Sequence, residues 1–204
     1  MIFYTRYIPK LLIYSRLLIG GIILMFSYLH ISYYPVIAVV LFTIGLLTDI
    51  FDGIIARHLN ISTQHLRRLD STIDQIFFLC VLIATYIECP QFFLGNKIQM
   101  VIILLLEGLA YLVCFLKFRK EVATHSISSK LWVLVLFSTL IQVMLTCNAG
   151  VLFQLSFYIG LITRLEIIGI ILLLKNWAND VPGIYHAVLI RKGKPIKRHK
   201  LFNG

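Results

Sequence analysis

The run Asp49-Ile50-Phe51-Asp52-Gly53-Ile54-Ile55-Ala56-Arg57 closes one apolar stretch, and Asp70-Ser71-Thr72-Ile73-Asp74 opens the next after a short polar gap. Four of the nine acidic residues therefore stand at the mouth of one hydrophobic helix pair. An ionised carboxylate loses its hydration in hydrocarbon, so acids at this depth need compensation from another charge. Asp49 and Asp52 are three apart, and Gly53 and Ala56 follow at helical spacing, so all four share one face of the second helix. The two small residues leave room on that face for a ligand or a neighbouring backbone.

The surrounding chain is apolar enough to make this a membrane question. It is 59% apolar and 14% charged, against about 25% charged in soluble domains, and its mean hydropathy is +0.90. Stretches near the roughly 20 residues needed to span a bilayer fall at about 11–29, 35–55, 71–89, 98–118, 131–149 and 151–174. The expected fold is all-α: a polytopic bundle of six transmembrane helices forming a single domain over 1–204, with a basic tail from about 176. Arg16 inside the first stretch, and the lack of a small-residue cleavage site, argue against a removed signal peptide.

Charge placement orients the bundle. Arg6, Lys10, Arg57, Arg67, Arg68, Lys117, Arg119, Lys120, Lys130 and the tail fall on one side, and the opposite loops offer Lys97. The positive-inside rule then gives both termini and the acidic run a cytoplasmic address. The net charge of +10 is on this reading a topology and lipid-headgroup signal rather than a nucleic-acid one. Cys80, Cys89, Cys114 and Cys147 have no paired metal spacing and read as small packing residues, with a Cys89–Cys147 bond as the less favoured reading.

The second helix descends and the third returns, so Asp49 and Asp52 come to face Asp70 and Asp74. Four converging carboxylates repel one another unless protonated or compensated. Mg²⁺ or Mn²⁺, hard cations that favour carboxylate oxygen, would resolve the conflict. The bland alternative is ion pairing with Arg57, Arg67 and Arg68, and the clustering of acids with Gly53 and Ala56 argues against it.

The spacing of these residues resembles the signature of the CDP-alcohol phosphatidyltransferase family, Asp-x2-Asp-Gly-x2-Ala-Arg-x8-Gly-x3-Asp-x3-Asp, at all positions except one, where Leu66 replaces glycine. The opening Ile8-Pro9-Lys10-Leu11-Leu12-Ile13-Tyr14-Ser15-Arg16 is similar to the first helix of the phosphatidylglycerophosphate synthase branch. The resemblance implies a two-metal site, with Asp49, Asp52 and Asp70 on one metal and Asp49, Asp70 and Asp74 on the other. It implies Asp74 as general base, and Gly53, Arg57 and Thr63 against the CDP moiety with Ala56 leaving space beside it. It further implies CDP-diacylglycerol as donor, a small alcohol as acceptor, membrane lipids as surroundings, and commonly a homodimer.

Glu107 and Arg164 each lie about 11 residues from a cytoplasmic helix end, roughly 16 Å deep at 1.5 Å per residue. Pairing across the bundle is their favoured reading, with Glu166 as a competitor. The sharper reading makes Arg164 and Lys130, with His125, Arg119 and Lys120 nearby, a pocket for an anionic acceptor such as glycerol 3-phosphate. Transfer from CDP-choline or CDP-ethanolamine to diacylglycerol, a non-catalytic lipid- or nucleotide-binding bundle, and a divalent-cation transporter are the competing functions.

Overall fold

The computed structural model describes residues 7–194 apart from 60, 62, 123, 125 and 180, without the side chains of 64 and 67. Arg6, His125, the tail from 195 onward and the Arg67 side chain, all invoked above, lie outside it. The described residues form helices joined by short connections: α1 (Ile8–Tyr28), α2 (Tyr34–His58), α3 (Gln64–Glu88), α4 (Pro90–Gly95), α5 (Lys97–Phe118), α6 (Ile127–Thr146), α7 (Gly150–Leu173) and α8 (Ile184–Arg191). Six of these are long and apolar enough to cross a membrane, as expected, and the protein is an integral multi-pass membrane protein.

The helices group into two compact units. The first comprises 1–92 and 140–148, the second 93–139 and 149–204.

In the first unit α1 packs against both α2 and α3. Its buried residues, Pro9, Ile13, Arg16, Gly20, Ile23 and Ser27, recur every three or four positions and make one stripe. The matching stripe of α2 runs through Tyr34, Ala38, Phe42, Gly45, Asp52 and Ala56. Small residues set the approach. A Cβ on Gly20 would come within 3.2 Å of Phe77 Cδ2 and 3.3 Å of Cys80 Cβ, and one on Gly45 would collide with the Phe77 ring. Phe77 in turn stacks among Phe42 and Phe78, with ring centroids 5.9 and 6.0 Å away. Ser27 Oγ ties α1 to α3 by donating to the Ala84 carbonyl at 2.9 Å. Prolines stand at the first turns of α1 and α2, where a missing N–H costs nothing.

The cysteines depart from the favoured expectation. Cys89 and Cys147 form a disulfide across a Cα–Cα separation of 5.2 Å, while Cys80 and Cys114 are free. The end of α3 and the end of α6 meet here, so the two sulfurs are brought together by chain ends 58 residues apart in sequence.

In the second unit α5 packs on α7, and α7 on α8. Lys117 Nζ donates to the carbonyls of Ile171 and Leu172, at 3.0 and 2.7 Å, where the last turn of α7 has free acceptors. Trp132 Nε1 donates to the Ser156 carbonyl at 3.0 Å and fills the space left by Gly160, where a Cβ would stand 2.5 Å from that nitrogen.

Candidate active site

All four aspartates of the opening run converge, and they converge on an arginine. Asp49 and Asp52 come from the last turns of α2 and Asp70 and Asp74 from the second and third turns of α3. Arg16 of α1, with no solvent exposure, reaches between them. Its Nη1 donates to Asp49 Oδ1 at 2.8 Å and to Asp74 Oδ1, and its Nη2 to Asp52 Oδ2 and Asp70 Oδ1, both at 2.5 Å. Its Nε is buried without a hydrogen-bond partner.

Sequence reasoning weighed Arg57, Arg67 and Arg68 as the compensating cations and missed Arg16, which the structure places among the four acids. The signal that could have found Arg16 was present. A guanidinium in the middle of an apolar span must face an anion, and these aspartates are the largest acidic group in the chain.

The four acids are not equivalent. The side chains of Asp49, Asp70 and Asp74 are 36%, 31% and 29% exposed, whereas that of Asp52 is 3% exposed. Asp49, Asp70 and Asp74 each offer a carboxylate oxygen, and the three oxygens lie within 4.8 Å of one another, close enough to share a metal ion. Hard oxygen donors from three carboxylates suit a divalent cation. Arg16 neutralises one of four formal charges, so the donor set can still take one.

The remaining signature residues flank this cluster. Ala56 is buried and Arg57 exposed, and a Cβ on Gly53 would meet the Arg57 guanidinium at an ordinary 3.7 Å. Thr63 caps α3, its hydroxyl accepting the Leu66 N–H at 3.2 Å. Leu66, the departure from the signature, is thereby fixed in the first turn of α3, half-buried.

Lys130 and Arg164 belong to the second unit. Lys130 is exposed on the first turn of α6. Arg164 is buried, pairs with Glu107 through its Nε, and lies with its guanidinium carbon 4.2 Å from the centroid of the Trp132 ring. The favoured pairing of Glu107 with Arg164 is thus present. Glu166 instead accepts from the Ser128 hydroxyl.

Comparison with known proteins agrees with the motif. The profile of the family described as CDP-alcohol phosphatidyltransferase matches residues 6–178. The chain belongs to this family. A CDP-diacylglycerol--glycerol-3-phosphate 3-phosphatidyltransferase from Aquifex aeolicus (strain VF5) is 32% identical over 178 residues, covering 84% of this chain and 92% of the relative. No solved structure matches the chain. As a CDP-alcohol phosphatidyltransferase the protein is a transferase of phospholipid biosynthesis embedded in the membrane.

Proposed function

We propose that this CDP-alcohol phosphatidyltransferase moves the phosphatidyl group of CDP-diacylglycerol to a hydroxyl of glycerol 3-phosphate and releases CMP. The activity named for the Aquifex relative supports the choice of donor and acceptor. The observation that carries the reading is the convergence of Asp49, Asp70 and Asp74 within 4.8 Å at positions of the family signature.

Asp49, Asp70 and Asp74 would hold Mg²⁺ or Mn²⁺, with Asp52 joining Asp49 and Asp70 where a second ion binds. Bound there, the cation supplies neutralisation of the donor diphosphate and of the charge gathering on departing CMP. The chain's own groups do the rest. Asp74 takes the proton from the acceptor hydroxyl as its oxygen forms a bond to the phosphatidyl phosphorus. The bond from that phosphorus to the bridging oxygen breaks, and CMP leaves with the electron pair. Gly53, Ala56, Arg57 and Thr63 would bound the nucleotide, and Lys130 and Arg164 are the cations proposed for the acceptor's phosphate.

The site is proposed to face the cytoplasm, with both termini on that side and the whole chain acting as one catalytic domain. The charge asymmetry supports this, and so does the disulfide. Cys89 caps the far end of α3, about 22 Å along the helix from Asp74 at 1.5 Å per residue, and disulfides persist in oxidising compartments. The resemblance also implies a homodimer, which the mass of the solubilised protein reads directly.

Purified protein with CDP-diacylglycerol, Mg²⁺ or Mn²⁺ and a panel of alcohols tests the reading by CMP release. Metal-dependent release is expected to be greatest with glycerol 3-phosphate and to fall at least about a hundredfold in Asp74→Asn. Release with none of the alcohols, from protein that still binds the metal, would leave a lipid- or nucleotide-binding member of the family, the reading that Leu66 keeps open.

A further inference from the structure

We infer that Arg16 is the resident counter-ion of the carboxylate site, holding the aspartates of α2 and α3 together without metal and competing with the divalent cation for them. The inference rests on the metal-dependent reading above and adds a residue outside the family signature to it.

The geometry makes Arg16 a hub rather than a partner of one acid. Two nitrogens each serve two carboxylates, one from α2 and one from α3: Nη1 takes Asp49 and Asp74, Nη2 takes Asp52 and Asp70. Every polar bond the guanidinium makes goes to these acids, while Nε has none. The side chain lies wholly inside the unit. Arg16 is the cation that reaches all four carboxylates at once.

Competition follows from the same contacts. Asp49 and Asp74, which hold Nη1, and Asp70, which holds Nη2, are the three acids able to share a metal. A cation that engages all three draws on the same three carboxylates that hold the guanidinium and brings its two charges beside it. While a single ion occupies the trio, Asp52, the buried acid outside it, is the partner Arg16 keeps. Arg16 is therefore a positioning residue that sets how tightly the site takes its ion. Like charges repel across such short distances, so a guanidinium beside an arriving dication weakens its binding, and removing it strengthens binding.

The test uses the full chain in detergent with Mn²⁺ alone as probe, titrated calorimetrically, together with thermal unfolding in chelator and in saturating Mn²⁺. Arg16→Gln is expected to bind Mn²⁺ about tenfold tighter or more, to unfold at a lower temperature in chelator, and to gain more from added Mn²⁺ than the natural protein. Arg16→Lys, with the charge but without the planar fork, should fall between them. Arg16→Gln binding Mn²⁺ no tighter than the natural protein overturns the inference and leaves the metal-dependent reading standing. Natural protein that binds no Mn²⁺ overturns both. Should Arg16→Gln not fold, nitrogen-15-labelled arginine in the natural protein decides: the signal of the buried guanidinium should move on addition of Mg²⁺, and an unmoved signal at saturation overturns the inference.

Discussion

Arg164 and Arg16 are both arginines buried in apolar spans, yet their surroundings assign them different work. Arg16 answers four carboxylates and no ring, while Arg164 answers one carboxylate and lies on Trp132. Glu107→Gln leaves the Arg164 charge without its acid, a loss of roughly 1–3 kcal/mol given that Glu107 is 38% exposed. If Arg164 serves only the pair, Arg164→Gln and Glu107→Gln should move thermal stability alike and leave the acceptor KM unmoved. The proposed role with the acceptor phosphate instead expects a KM for glycerol 3-phosphate raised about tenfold or more in Arg164→Gln alone. Leu66 poses a similar choice. Leu66→Gly restores the signature glycine at a helix cost of about 1 kcal/mol, and it should change the KM for CDP-diacylglycerol. Unaltered donor kinetics would remove Leu66 from the account of the nucleotide site.

Within the helices, glycine positions divide sharply by what faces them. Gly45 meets the Phe77 ring directly, so Gly45→Ala must displace a buried aromatic or separate α2 from α3, costing about 1–3 kcal/mol. Gly21 has nothing within 4 Å of where a Cβ would stand, so Gly21→Ala should hold stability or raise it by up to about 1 kcal/mol through helix propensity. Unfolding temperatures of the two variants, measured side by side, check both. The long helices were legible because apolar runs of spanning length leave few alternatives, and their ends fall within a few residues of the expected ones except at α3. There the polar turn from Gln64 is helical and Thr63 caps it, so Asp70 and Asp74 sit in the second and third turns, deeper than a helix start. The helix Pro90–Gly95 was not legible, since six residues are too few to show a period. Ile184–Arg191 was hidden inside a tail read for its charge, although Ala187 is wholly buried. Arg16 escaped for a different reason. Its bonds span 33 to 58 positions, and spacing rules describe one helix at a time, not which face of α1 meets α2 and α3.

At the scale of the molecule, two independent chemical asymmetries run in the same direction. Basic residues gather where α2 ends and α3 begins, beside the aspartates, and the Cys89–Cys147 bond closes the other end of α3. A cytoplasmic active site requires that the disulfide end face an oxidising compartment, because glutathione and thioredoxin keep cytosolic thiols reduced. Cells quenched in acid and denatured in a maleimide mass tag should yield protein carrying two tags, on Cys80 and Cys114, rising to four after prior reduction. Four tags without reduction would put that end in a reducing compartment and remove the disulfide's support for the orientation. The bond closes a separation of 58 residues, which for a freely unfolding chain would be worth about 4 kcal/mol. In a bilayer the spans remain inserted when packing is lost, so the unfolded chain has less freedom for the bond to remove. Reduction should therefore lower the unfolding temperature by less in lipid nanodiscs than in a denaturing detergent. The same difference measured for Cys147→Ser separates the cross-link's contribution from that of the packing around Val143, whose carbonyl oxygen lies 3.5 Å from Cys89 Sγ.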